Sequence, residues 1–378
     1  MKVSQIVAAL ETIAPPSLAC DWDNVGLLVG DAAANARRLL LCIDLTPAVL
    51  AEARRVGAGM VMAYHPVIFK PVGRFTPDSA KIAYQAARAG LAVYSMHTAL
   101  DAAVGGLNDV LADILGIGIA SRRPIEPSSR VGQRKIVCFV PPGDLSRVAE
   151  AAFAAGAGRV GNYFDCAFFS HGVGSFCGNE KSRPARGSAL RHEAAEELRL
   201  EVIAPRAAAG KVVAAMRAAH SYETPAIDVY PLEDYPPGCG LGRIGPLAKP
   251  ADVIDLVNRV KRATGMRRIW LARAVGASGR LPAKAARLPT VKVAAAAAGA
   301  CGDLFRAACD GGATFLLTGE IRHHEALEAS RRGLSVACLG HSNSERVGLT
   351  RLAAKVRSLL RGLAVTVSRS DRDPLEIV

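Results

Sequence analysis

None of the hydrophobic runs in this 378-residue chain is long enough to span a bilayer. The softest, residues 293–300, is mostly alanine and too short. The first ten residues carry no basic segment followed by an apolar core, so no secretory leader is expected. The nine cysteines contain no CxxC pair and no regular spacing. An odd count on apolar segments argues for reduced thiols in a cytoplasmic protein and against a thiolate zinc site. No GxxxxGK[ST] occurs, which excludes a phosphate loop for ATP hydrolysis, and no Ser–His–Asp signature stands out. Gly156-Ala157-Gly158-Arg159-Val160-Gly161 spells GxGxxG but follows a helical pattern rather than a strand, so it reads as a helix-ending turn. His192-Glu193 lacks a second histidine four residues on and reads as a solvated helix face. Aromatic residues make up only 5%, and the net charge of +13 comes mainly from scattered arginines. That combination argues against nucleic acid as a partner.

What is present is a globular composition, half hydrophobic and about a fifth charged, in a chain long enough for two or three domains. Through residues 1–128, short apolar runs alternate with helical periodicity, which predicts a parallel, layered α/β sheet. A stretch rich in Arg, Pro and Ser, residues 121–132, reads as a linker. Residues 129–236 repeat strand, helix, strand twice, the pattern of a small ferredoxin-like α+β domain. The glycines and prolines of Pro236-Pro237-Gly238-Cys239-Gly240 close it. Residues 237–378 return to the first style. The expectation is one layered α/β fold, built from the N- and C-terminal parts and interrupted by an α+β insert.

Ligands in open parallel sheets bind just beyond the carboxyl ends of the strands. Four segments place metal-type side chains there: Tyr64-His65-Pro66, His97 with Asp101, Glu320 with His323-His324, and His341 with Glu345. They hold five of the eight histidines. Residues 334–339 read as a buried strand, and Ser342, Asn343 and Ser344 are all good N-caps for a helix starting there. Taken singly, each segment is an ordinary capping or hydrogen-bonding element; together on one edge they point to a metal centre. Imidazole and carboxylate donors without sulfur suit zinc, iron, manganese or nickel and disfavour copper(I). A bridging carboxylate would permit two metals. His220-Ser221-Tyr222-Glu223 reads either as a loop ligand or as a polar turn.

Six motifs in order resemble those of the GTP cyclohydrolase I type 2 homologues, also called the NGG-interacting-factor-three-like dinuclear metal family. They are Asp23-Asn24-Val25-Gly26-Leu27, His65-Pro66-Val67-Ile68-Phe69, His97-Thr98-Ala99-Leu100-Asp101 with Gly106-Leu107-Asn108, Gly242-Arg243-Ile244-Gly245, Thr318-Gly319-Glu320 with His324-Glu325-Ala326, and Gly340-His341-Ser342-Asn343-Ser344-Glu345. The insert is similar to the PII-like module of the family's longer members. The resemblance implies a toroidal homohexamer with a one- or two-metal site per subunit. It implies that His65, Asp101 and Glu345 hold one metal, and that His341 with a bridging Glu345 holds the second. Tyr64 stands where the family usually has a histidine, so that second position is weak, empty, bound through the Tyr64 oxygen or helped by His97. Two functional readings follow: a metal-dependent hydrolase of a small molecule, using metal-activated water with His97 or His324 moving protons, or a hexamer that stores, delivers or senses metal.

Overall fold

A computed structural model describes residues 1–128, 133–160, 162–232, 238–275 and 290–375. Met1–Pro127 with Gly238–Val378 form one compact unit and Ser128–Pro237 another. The first strands of the larger unit are β1 (Gly26–Val29), β2 (Arg38–Cys42), β3 (Met60–Ala63), β4 (Ala92–Ser95) and β5 (Glu126–Pro127). The smaller unit holds β6 (Gln133–Val140), β7 (Ala167–Cys177), β8 (His192–Pro205) and β9 (Ile227–Pro231). The larger unit resumes with β10 (Gly240–Leu241), β11 (Arg243–Ala251), β12 (Trp270–Ala272), β13 (Val291–Ala300), β14 (Phe315–Glu320), β15 (Ser335–Cys338) and β16 (Ala364–Val367).

Two five-stranded sheets organise the larger unit, in the orders β1-β4-β3-β2-β16 and β11-β13-β14-β15-β12. The expected parallel arrangement holds for β16, β2, β3 and β4 and for β13, β14 and β15. The edges β1, β11 and β12 run antiparallel, so both sheets are mixed. Alternate residues of the second sheet enter different cores: Ala294, Ala296, Phe315 and Leu317 join one, Ala295, Ala297 and Leu316 the other. Both faces are therefore covered, which is why its strands read as unbroken apolar runs. The alanine run is the buried strand β13.

In the smaller unit the order β7-β8-β6-β9 with every pair antiparallel, and helices Leu145–Ala154 and Arg206–Ala219 in the crossovers, gives the split βαβ topology of a ferredoxin-like fold. Its core gathers Ile136, Val148, Leu200, Val202, Val212 and Met216. His192-Glu193 corrects the sequence reading: they open β8 and pair with Cys177 and Phe176, rather than lying on a helix face. Glutamate-rich residues 192–199 have helical propensity, but pairing along the whole of β7 overrides it. Gly156 and Gly158 have φ of +106° and +78° and end the preceding helix as a turn, while Gly161 lies outside the described residues. Residues 129–132 of the linker and Pro236-Pro237 also lie outside them.

None of the nine cysteines is joined in a disulfide. No helix among the described residues is long and apolar enough to cross a membrane.

Candidate metal centre

Both sheets of the larger unit end their parallel strands in polar side chains, and these converge. Asp44 follows β2, Tyr64 and His65 follow β3, His97 follows β4, Glu320 ends β14 and His341 follows β15. Gly340, at φ +88°, turns the chain out of β15, and its amide donates to Gly319 O at 2.8 Å. The helix then begins at His341, not at the Ser342–Ser344 caps expected from sequence. Helical spacing puts His341 and Glu345 on one face. Ser344 is fully buried inside this helix; its hydroxyl donates to His341 O at 2.7 Å and accepts from the Gly299 amide at 2.8 Å. A residue that looked like a cap instead pins β13 to the site.

His65, His341 and Glu345 form a cluster whose potential ligand atoms all lie within 4.8 Å of one another. Each oxygen of Glu345 faces a different imidazole: Oε2 stands 3.4 Å from His65 Nε2 and Oε1 3.3 Å from His341 Nε2. The opposite nitrogens are engaged by carboxylates, His65 Nδ1 with Asp44 at 2.9 Å and His341 Nδ1 with Glu320 at 2.9 Å. Such outer carboxylates fix the ring orientation and leave Nε2 aimed inward, the usual support of a metal-binding histidine.

The donor set fits a cation on two further grounds. Glu345 is 2% exposed, yet its Oε2 has no hydrogen-bond partner, an expensive state for a buried carboxylate oxygen unless something else meets it. Gly299, at φ +65°, lies so close that a Cβ there would sit 2.8 Å from Glu345 Oε1. The space beside the carboxylate exists because that residue has no side chain.

Charges agree with this geometry. For His65, burial opposes protonation, but Asp44 and Glu345 outweigh it and hold the ring at about 10. For His341, Glu345 acts first, against burial, and with Glu320 raises it to about 9. Burial pushes Glu345 upward, but the two imidazoles outweigh it and keep it below the usual carboxylate value.

The other sequence candidates are placed differently. Tyr64 is buried, and its hydroxyl lies 2.8 Å from both oxygens of Asp101. Burial, with Asp101 and Glu345 beside it, holds the phenol well above its ordinary value, so it stays protonated and donates a hydrogen bond to Asp101. Asp101 is raised to about 7, first by burial and then by the charge of Glu345. His97 packs edge-on to His65 at 5.3 Å, with Nδ1 at 2.7 Å from Asp23 Oδ1. Its φ of +24° is strained for a non-glycine residue, of the sort found at functional sites. His324 is not brought into the cluster: it is exposed on the helix His323–Arg331, with its ring against His323.

The sequence reading gave no role in the site to Asp44 or Gly299, nor to Asn108, which it quoted only within a family motif. Asp44 obeyed the same rule as the others, a polar residue just beyond a parallel strand. Asn108 donates to Asp101 O at 2.9 Å and accepts from the Ala298 amide at 2.8 Å, tying two halves of the unit together. That role spans 190 residues of sequence and has no local signal.

The family model described as Duf34/NIF3 (NGG1p interacting factor 3) matches residues 1–374. A protein named GTP cyclohydrolase 1 type 2 homolog from Halalkalibacterium halodurans is 34% identical over 359 residues, 94% of this chain and 92% of the relative. The protein of the same name from Bacillus subtilis is 30% identical, over 98% of this chain and 97% of its own. Among solved structures, a Bacillus cereus protein related to NIF3 matches with a TM-score of 0.71 at 30% identity, covering 100% of this chain and 99% of that one.

Proposed function

The chain belongs to the Duf34/NIF3 family, and from that premise we propose that it binds divalent metal at Glu345 and acts as a metal-dependent hydrolase of a small molecule. The observation that carries this reading is the glutamate whose two oxygens each face a separate imidazole. His65 with Oε2, bordered by Asp101, suits one cation position, and His341 with Oε1 suits a second. A bound cation supplies Lewis acidity, acidifying water and polarising the oxygen under attack. Asp44 and Glu320 orient the two imidazoles. His97, oriented by Asp23, is the group placed to take or give a proton at Nε2, which makes no hydrogen bond among the described residues.

Tyr64 favours a second reading, metal storage or delivery. A neutral phenol committed to Asp101 leaves the His341 position short of protein donors. The homohexamer belongs to both readings, and light scattering on the purified protein measures it.

Elemental analysis of protein purified without added metal tests the centre. One or two equivalents of zinc, iron, manganese or nickel per chain are expected, with most lost in His341→Ala; equal content in both proteins would sink the assignment. Turnover then separates the readings: metal-dependent hydrolysis of phosphodiesters, nucleotides or cyclic amides supports catalysis, and none on any of them favours metal handling.

The charges also fix a pH dependence. Both imidazoles are protonated at neutral pH in the metal-free protein, and each must lose a proton before Nε2 can donate to a cation. Metal affinity should therefore climb with pH between about 7 and 9, by up to roughly tenfold per unit for each proton released. In the metal-free protein the sign is opposite. Pairing that raises a histidine from 6.5 stabilises the fold below that value, and the gain disappears as pH rises through about 9 and about 10. Titration calorimetry in two buffers of different ionisation enthalpy counts the released protons; a count of zero at pH 7 would contradict the site.

A further inference from the structure

Two large aromatic side chains stand exposed at the rim of the metal centre. Trp22 is 61% and Phe69 46% exposed, and their ring centroids lie 5.9 Å apart. Single exposed apolar residues are ordinary. These two touch each other, and both touch His97, Trp22 edge-on at 5.9 Å and Phe69 at 6.5 Å. His97 in turn meets His65 at 5.3 Å, and His65 meets His341 at 5.5 Å. A continuous series of ring contacts thus runs from solvent to Glu345.

Polar ties hold the two outer rings in place. Asp23, next to Trp22, accepts from the Thr98 amide at 3.1 Å and from His97. Asn24 Nδ2 donates to Ile68 O at 2.5 Å, joining the turn that carries Trp22 to the loop that carries Phe69. Anchoring of this kind keeps an aromatic pair exposed rather than letting it collapse onto the core.

We propose that Trp22 and Phe69 are a stacking surface for the planar ring of a substrate whose polar arm reaches the Glu345 centre. Every heteroaromatic ring has a π-face for such a surface, and an anionic arm would meet a cation held at Glu345. The assignment of the arm rests on the metal reading; the stacking surface does not.

The chain has two tryptophans, Trp22 and Trp270, so Trp270→Phe leaves Trp22 as the sole reporter. In that protein, saturable quenching of fluorescence by AMP, GMP or UMP is expected, with ribose 5-phosphate, which lacks the ring, at least 10-fold weaker. Adding Phe69→Ala should weaken nucleotide binding roughly 5- to 100-fold and leave ribose 5-phosphate and metal content unchanged. The proposal is overturned if no nucleotide quenches saturably, or if the ringless sugar binds as tightly. It is overturned too if acrylamide cannot reach Trp22 in the assembled protein, because a second copy then covers the surface. If elemental analysis finds no metal even after zinc, iron, manganese or nickel is supplied, the metal reading falls, and ring-dependent quenching in that protein leaves the stacking surface standing.

Discussion

Glu345→Ala is expected to lower metal affinity at least about 100-fold, more than the roughly 10- to 100-fold typical for loss of an outer carboxylate. The difference follows from position. Asp44 and Glu320 each orient one imidazole, whereas Glu345 presents one oxygen to each of them. Its removal takes away the only carboxylate of the three-residue cluster and leaves two imidazoles facing each other. In the metal-free variant both rings also lose the anion that helps raise them, so both should titrate nearer 6.5. Competition against a chromophoric chelator measures the affinity, and NMR titration of the imidazoles measures the second effect. Wild-type affinity in a folded Glu345→Ala protein would rule out the cluster as the binding site. Glu345→Gln is the matched control: it keeps the shape and one acceptor oxygen but not the charge, and should fall between the two.

The largest loss of stability is expected at Arg243, which is 1% exposed although it carries a full charge. Its guanidinium donates to Gly240 O and Gly242 O, both at 2.7 Å, to Ala103 O at 2.8 Å, and to Asp109 Oδ2 at 2.9 Å. Asp109 is itself buried; burial alone would raise it, but Arg243 and then Arg122 hold it low and ionised. Arg243→Leu should cost about 3–5 kcal/mol, because it strands a buried carboxylate and several carbonyls. The low end is the better expectation, since Arg122 still meets Asp109 Oδ1 at 3.0 Å. Denaturant unfolding of the metal-free protein measures it, read on the transition of the larger unit, since a chain of two units need not unfold in one step. A loss below about 1 kcal/mol would contradict this account. The double variant Arg243→Leu with Asp109→Leu should recover part of the loss, because a paired charge replaced by apolar groups leaves nothing stranded.

Arg243 also shows that a motif can carry a family resemblance without belonging to its site. Gly242-Arg243-Ile244-Gly245 stood among the motifs that carried the family resemblance, beside the metal-type segments. Among the described residues this arginine hydrogen-bonds to none of them and instead closes a turn between Ala103 and Gly240. Gly242, at φ +64°, supplies the backbone conformation that the turn needs. Its part in the protein is structural.

The centre was legible as residue types at strand ends, because the chemistry of such edges is local. Histidine and carboxylate beyond an apolar run can be read one strand at a time, and His65, His341 and Glu345, which the fold brings into one cluster, were among the residues singled out that way. Their pairing was not legible. Tyr64 read as a replacement ligand, and only packing shows that its hydroxyl is spent on Asp101. Ser344 read as a helix cap, yet Gly340 starts the helix earlier and turns Ser344 inward.

Local patterns were enough for the alternation of strands and helices, the ferredoxin-like pattern of the insert and the donor types at the carboxyl edges. These depend on periodicity and side-chain chemistry, which act over a few residues. Tertiary structure alone decided that both oxygens of Glu345 face imidazoles from different sheets, that Gly299 leaves room beside them, and that His324 lies outside the cluster. Those facts depend on how two mixed sheets bring distant strand ends together, a relation that no local pattern encodes.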